Sequence, residues 1–309
     1  MRHRVHKSAM ALRFALVLLP ALALSQPPAA SRLQARLLVS RELIGKTINE
    51  NDARASLVVW AGILAKARDL EIQPDQIRLV RWRELEESVR AGHLDALGLT
   101  VREYSRLRPY LWPGQVLVDE RDMKKASYQV VVHGASGISS LADLKGKSMV
   151  VWDSTKMALA SEWLAALLAE GRLGTPEQLL GRISWSAKVS GGAVLPVFFR
   201  QLDACLVSAQ AMETLYELNP QLRQKLRVLA VSPPLVVNLF AFHKDLPQST
   251  RERLIATLAE AHHSAAGRQA LTLFQGESLV SVPPAVMDAA LELLQRSERV
   301  RSRTGAVRP

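Results

Sequence analysis

The sequence predicts an α/β protein, with sheets flanked by helices. Three observations predict it: short apolar runs alternate with amphipathic helical patterns along almost the whole chain, the joints between them are polar or glycine-bearing, and no short repeat or low-complexity array interrupts the series. Strands separated by helices re-enter a sheet from the same end, so mixed sheets with largely parallel pairing are expected. A chain of 309 residues is long enough for roughly two domains.

The elements follow in order. "ARLLVSREL" (35–43) reads as a strand, and "ARASLVVWAGILAKARDL" (53–70) has apolar residues at helical spacing, with Asn51 or Asp52 as the expected N-cap. "QIRLVRW" is a strand, "RELEESVRAG" a helix and "LDALGLTV" a strand. "REYSRLRPYL" and the extended runs "PGQVLVDE" and "ASYQVVVHG" come next. A turn-rich connector, "GASGISSLADLKGK" (134–147), introduces a second set of elements. There "SMVVWD" is a strand and "KMALASEWLAALLAEG" a helix closed by Gly171. "RISWSAK" is a strand, "GAVLPVFFRQ" a helix strained by Pro196, "DACLVS" a strand and "AQAMETLYEL" a helix. "QKLRVLAVS" and "LVVNLFAFHK" are strands, and residues 250–275 and 284–298 are helical.

The first 25 residues read as an export signal. Arg2, Arg4 and Lys7 form a positive front, an apolar stretch broken only by Arg13 follows, and Ala21-Leu22-Ala23 offers a cleavage site ahead of Ser25. The apolar run after Arg13 is short of the ~20 residues that span a bilayer, and Pro20 suits cleavage better than anchoring. A soluble periplasmic protein, monomeric, is expected. Four positive charges leave with that segment, so the formal charge falls from +11 to +7. A basic surface favours anionic partners, but the arginines are scattered and no nucleic-acid stripe forms. Only the tail at 299–309 concentrates them, as expected of a flexible terminus. Cys205 is the single cysteine, so no intrachain disulfide is possible, and within "LDACLVS" it reads as a small core residue.

In sheets of this kind ligands collect at the carboxyl ends of strands. The turn after "SMVVWD" carries Asp153, Ser154, Thr155 and Lys156 ahead of a helix, an arrangement that can cap the helix or face an anion with hydroxyls, free N–H groups and a cation. "KVSGGAV" places Ser190, Gly191 and Gly192 between a strand and a helix, where glycine lets backbone amides approach a ligand. In the first half, polar turns offer Asn49, Asn51 and Asp52, and then Thr100, Arg102, Glu103 and Tyr104. Two halves with polar strand-to-helix turns predict a cleft between lobes.

Four stretches in order, "INENDARASLVVWAGILAK", "ELEESVRAGHLDALGLTVREYSRL", "GISSLADLKGKSMVVWDS" and "GGAVLPVFFRQLDACLVSAQAMETL", resemble the substrate-binding proteins of phosphate/phosphite/phosphonate ABC importers. The resemblance implies a type II periplasmic-binding-protein fold that closes on a ligand like a Venus flytrap. Lobe 1 would hold residues 35–128 plus 239–298 and lobe 2 residues 129–238, with crossovers in "ASYQVVVH" and "LVVNLFAFHK". It also implies that a Ser-Thr-Ser type turn holding phosphoryl oxygens matches Ser154, Thr155 and Lys156, with lysine in place of the third hydroxyl. A Ser-Gly-Ser-His type turn matches Val189, Ser190, Gly191 and Gly192, and Tyr104 matches an aromatic near the ligand. The implied partners are a small anionic ligand and an ABC permease, or alternatively a membrane sensor. No cofactor, metal or nucleic acid is implied.

An exported enzyme is the rival class, and the residues give it little. His262 and His263 are adjacent on a helical stretch and face different directions, so they are not a zinc pair. "HGASGISS" has Ile138 where a nucleophile elbow needs its second glycine, and Asp95 and Asp203 have no evident acid/base partner.

Overall fold

The computed structural model of the protein describes residues 33–45, 48–67, 70–71 and 76–304. Residues 1–25, which the sequence reads as an export signal, and the last five residues of the basic tail lie outside the described residues.

Two mixed sheets organise the chain. The six-stranded sheet has the order Leu279–Val282, Val116–Asp119, Asn238–Phe242, Ala96–Thr100, Leu37–Ser40, Ile77–Val80. The five-stranded sheet has the order Leu226–Val231, Tyr128–His133, Ala204–Ser208, Ser148–Trp152, Arg182–Ser186. Leu37–Ser40 pairs parallel with both neighbours, and so does Ser148–Trp152. The remaining ladders of the two sheets are antiparallel. The parallel share is therefore smaller than the strand–helix alternation predicts. Strands beside the points where the chain changes sheet run back against their neighbours.

Strands Ala96–Thr100, Ala204–Ser208 and Asn238–Phe242 are buried at every position, as strands covered by helices on both faces must be. On one face of the six-stranded sheet, Trp60, Phe240 and Phe274 form the aromatic part of a core, with ring centroids 6.5 and 5.5 Å apart. Gly98 belongs there, because an added Cβ would stand 2.9 Å from the Phe240 ring. The opposite face continues through Leu97, Leu99 and Leu107 into Val130, Val151 and Leu164 of the second sheet's module. A third core under Val131, Val150 and Val207 contains Cys205, whose thiol burial pushes up to about 12.

Several helices differ from the sequence pattern. The first runs Glu50–Ala67 and is capped by Asn49, whose Oδ1 accepts from the N–H groups of Asn51 and Asp52 at 2.8 and 3.4 Å. Asn51 and Asp52 are thus capped residues instead of caps. The stretch "GAVLPVFFRQ" is irregular around Pro196: the π-helical stretch Val189–Val194 runs directly into the short helix Leu195–Phe198, which holds the proline at its second position. Residues 250–275 form two helices, Gln248–Ala259 and Ala265–Leu273, split at a 3-10 turn that holds His262 and His263. The helix Glu120–Lys125 and the strand Leu279–Val282 were not legible, both being short. The last helix, Asp288–Thr304, extends past residue 298. It packs on both Val101–Leu107 and Ala160–Glu170, with Arg296 3.4 Å from Glu170.

The chain passes between the modules near residues 126–127 and 232–237, while most of the two stretches read as crossovers forms sheet strands. The passages bond to each other: Tyr128 N–H donates to Ser232 Oγ at 2.8 Å, Ser232 N–H to the Tyr128 carbonyl at 2.9 Å, and Leu235 N–H to the Ala126 carbonyl at 2.9 Å. The fully buried Tyr128 side chain reaches on, its hydroxyl donating to the Lys156 carbonyl at 3.1 Å and accepting from Leu159 N–H at 3.3 Å. Desolvation raises the pKa of this phenol. Replacing Tyr128 by Phe leaves a buried N–H and a carbonyl without a partner, so urea unfolding of Tyr128→Phe should show a loss of about 1–3 kcal/mol.

Candidate functional site

A cleft of about 950 Å³ opens between the modules. Its walls come from the carboxyl ends of the parallel strands. Arg41 follows Leu37–Ser40, Arg81 and Trp82 follow Ile77–Val80, and Thr100 to Glu103 follow Ala96–Thr100. Across the gap, Trp152 to Thr155 follow Ser148–Trp152, and Trp185 and Ala187 close Arg182–Ser186. Ser161 and Glu162 of the helix Ala160–Glu170 complete that wall, and Gln275 reaches in from beyond Ala265–Leu273.

Thr100 sets the first wall. It caps the helix Val101–Leu107 in a reciprocal box: its Oγ1 accepts from Glu103 N–H at 3.3 Å, while Glu103 accepts from Thr100 N–H at 2.8 Å. Thr100 Oγ1 and Ser40 Oγ donate to the same carboxylate at 3.0 and 2.6 Å, joining two strands through one buried acid. Desolvation raises the Glu103 pKa, against the lowering effect of the bonds from Ser40 and Thr100. The Thr100 hydroxyl lines the cleft but is committed to this network. The cap also fixes the helix rotation. Arg102 and Arg106, four residues apart and so on one face, line the cleft, whereas Tyr104 turns into the core and is only 1% exposed. Tyr104 is therefore not brought to the cleft as the resemblance implied.

The second wall departs further from the sequence pattern. Thr155–Met157 is a single 3-10 turn capped by Ser154, and the α-helix begins only at Ala160. Ser154 Oγ accepts from Lys156 N–H at 3.3 Å and donates to Gln275 Oε1 at 2.7 Å, a contact across the gap. The Thr155 hydroxyl is buried with no partner among the described atoms. Lys156 does not reach the cleft lining. Its ammonium lies 2.6 Å from Asp122 Oδ2, with side-chain exposures of 10% and 3%. Asp122 belongs to the helix that leaves the first sheet, so the pair ties the two modules together below the cleft floor. Burial pushes the Asp122 carboxyl up, with the Lys156 charge pulling the other way.

The helix start itself carries a carboxylate. Glu162 is the third residue of Ala160–Glu170 and accepts from Arg102 Nη2 at 2.7 Å, with side-chain exposures of 6% and 29%. An acid at that position suits the positive end of the helix, so this end does not stand open to a ligand. Other arginines are differently engaged. Arg41 and Arg81 lie 3.7 and 3.8 Å from Glu50, and Arg106 stacks over Trp82 at 5.2 Å.

Of the remaining sequence candidates, Asn51, Gly191 and Gly192 do not converge on the cleft. Asn51 is exposed on its helix outside the lining. Ser190, Gly191 and Gly192 fall in a π-helical stretch, Val189–Val194, and neither glycine lines the cleft. Gly192 is required for packing, since an added Cβ would overlap Ser186 Oγ. Sequence reasoning missed Arg106, Glu162, Gln275, Trp82, Trp152 and Trp185. The four-residue spacing in "VREYSRL" and a tryptophan near the end of three strand patterns were the available signals. Among the described residues, no group of three His, Cys, Asp or Glu could hold a metal ion.

A family model described as the periplasmic substrate-binding protein of phosphonate ABC transporters matches residues 64–285. No curated protein sequence matches the chain. Among solved structures, the binding protein component of an ABC phosphonate transporter from Pseudomonas aeruginosa is 14% identical, covering 87% of this chain and 87% of its own, with a TM-score of 0.54. PhnD1 from Prochlorococcus marinus, in complex with methylphosphonate, is 14% identical over 85% of this chain and 98% of its own, at 0.53. The periplasmic aliphatic sulphonate binding protein SsuA from Escherichia coli is 13% identical over 90% and 95%, at 0.50. These likenesses establish a shared type II binding-protein fold.

The Lys156–Asp122 pair gives this site a direct stability test. Asp122→Ala strands a buried ammonium and should cost about 3–5 kcal/mol in urea unfolding. Asp122→Leu combined with Lys156→Met removes both charges and should recover most of that loss.

Proposed function

The chain belongs to the family of periplasmic substrate-binding proteins of phosphonate ABC transporters, and from that premise we propose that it captures a small oxyanion between its two modules for an ABC importer. The anion is a phosphonate, phosphite, phosphate or phosphorylated compound. The single observation that carries this reading is the pair Arg102 and Arg106, set on one helix face toward the cleft opposite the Ser154–Thr155 turn. Guanidinium groups match the geometry of phosphoryl oxygens, and the unpartnered Thr155 hydroxyl adds a neutral donor.

The module of the six-stranded sheet acts as one lobe and that of the five-stranded sheet as the other, hinged where the passages at 126–127 and 232–237 bond together. Contacts that need both lobes exist only when they are closed, so a ligand touching both favours closure. Arg102 already spans the gap to Glu162. An incoming oxyanion competes with that carboxylate for the guanidinium, and the Ser154–Gln275 bond supplies a second clasp. Export through residues 1–25 places the protein where an importer collects its cargo. Among the described residues no helix is long and apolar enough to cross a membrane.

Calorimetry with methylphosphonate, phosphate and sulfate tests the assignment. Binding of at least one of the two phosphorus compounds is expected. Arg106→Ala and Thr155→Val should each weaken it by about tenfold, the scale of one charge-assisted hydrogen bond. Unchanged affinity in both variants would remove the anion from both walls of the cleft.

A further inference from the structure

The cleft is large and unusually aromatic for a compact oxyanion. Its volume of about 950 Å³ lies at the upper end of the ~300–1,000 Å³ that encloses drug-sized ligands, whereas methylphosphonate needs room for only a handful of heavy atoms. The chain has six tryptophans, and three of them, Trp82, Trp152 and Trp185, line this one cleft. They enter from both modules. Trp152 and Trp185 come from neighbouring parallel strands, but Trp185 is in register with Val151, so the two side chains leave opposite faces of the sheet and meet the cleft only at the strand ends, while Trp82 lines it from the end of Ile77–Val80.

Two details separate Trp82 and Trp185 from ordinary core residues. Trp185 is 53% exposed, so its apolar faces are left to solvent at the strand end. Trp82 is stacked beneath the Arg106 guanidinium, which aligns the cleft's one stacked cation with its aromatic surface. A ligand that puts an oxyanion on Arg106 thereby brings its next atoms alongside indole rings. Indole faces take flat rings by offset stacking. Resting on the oxyanion reading above, we infer that the natural ligand is a phosphonate or phosphate monoester bearing a planar ring, its anionic head at Arg102 and Arg106 and its ring on the exposed face of Trp185.

Calorimetry with methylphosphonate, 2-aminoethylphosphonate and phenylphosphonate tests this, with indole fluorescence as a second readout. Phenylphosphonate should bind about tenfold more tightly than methylphosphonate, within the range measured for one stacked ring, and should quench the emission. Trp185→Ala should narrow the phenyl-to-methyl affinity ratio, and Trp185→Tyr should largely keep it. A phenylphosphonate affinity no higher than that of either aliphatic compound would overturn the inference while leaving the oxyanion reading in place. So would a Trp185→Ala variant that weakens phenyl and methyl compounds equally. Failure of all three compounds to bind would remove the oxyanion reading and the ring subsite together.

Discussion

Below the cleft floor, one buried ion pair sets the terms for everything above it. Lys156 and Asp122 meet at 2.6 Å, almost completely out of water, one from the turn that ends a strand of the five-stranded sheet and the other from the helix that leaves the six-stranded sheet. Two charges removed from solvent are expensive to bury, and they persist only where geometry and further bonds hold them together. The Tyr128 hydroxyl supplies such a bond, clamping the Lys156 carbonyl from the passage between the modules. The turn Thr155–Met157 is fixed in consequence, and with it the position of Ser154 and Thr155 at the cleft wall. A lysine that reads as a ligand cation in the sequence is a structural cation in the fold.

In the proposed function the positive charge facing the anion therefore comes from arginine. Arg102 and Arg106 lie on the same face of a short helix because Thr100 and Glu103 cap it in a fixed rotation. Glu162 occupies Arg102 from the other module, and Glu50 is shared by Arg41 and Arg81. The cleft is thus lined by both signs of charge, with most of its cations held in place by carboxylates. Such pairing preorganises donors for an oxyanion and sets a threshold that a ligand must exceed before it displaces Glu162. The same arrangement ties binding to closure, since Arg102 and Glu162 belong to opposite sides.

Much of the fold was legible in the sequence because it depends on periodicity. Buried strands such as "LDALGLTV" and "DACLVS" and the amphipathic stretch ahead of Gly171 all read correctly as elements. The site was less legible, because it depends on rotation and reach. Tyr104 and Arg106 are two residues apart, and only the capping box decides which of them faces the core. Lys156 looked available because Asp122, its partner 34 positions earlier, lies on a six-residue helix with no pattern of its own. Gln275 meets Ser154 across 121 positions from a residue with a positive φ of 53°, and no local rule announces such a contact. The turn at Ser154 and Thr155 was located correctly, whereas its role as the start of a long helix was not, the α-helix beginning at Ala160.

In the proposed function the two walls of the cleft move together around an anion. Spin labels placed by Arg83→Cys and Lys188→Cys flank that gap, and the buried Cys205 thiol, pushed up to about 12, stays unlabelled. Pulsed electron–electron double resonance then reads the distance between the walls with and without a saturating phosphonate. Ligand should narrow the distance distribution and shift it to shorter values. A distribution that binding leaves unchanged would contradict the account.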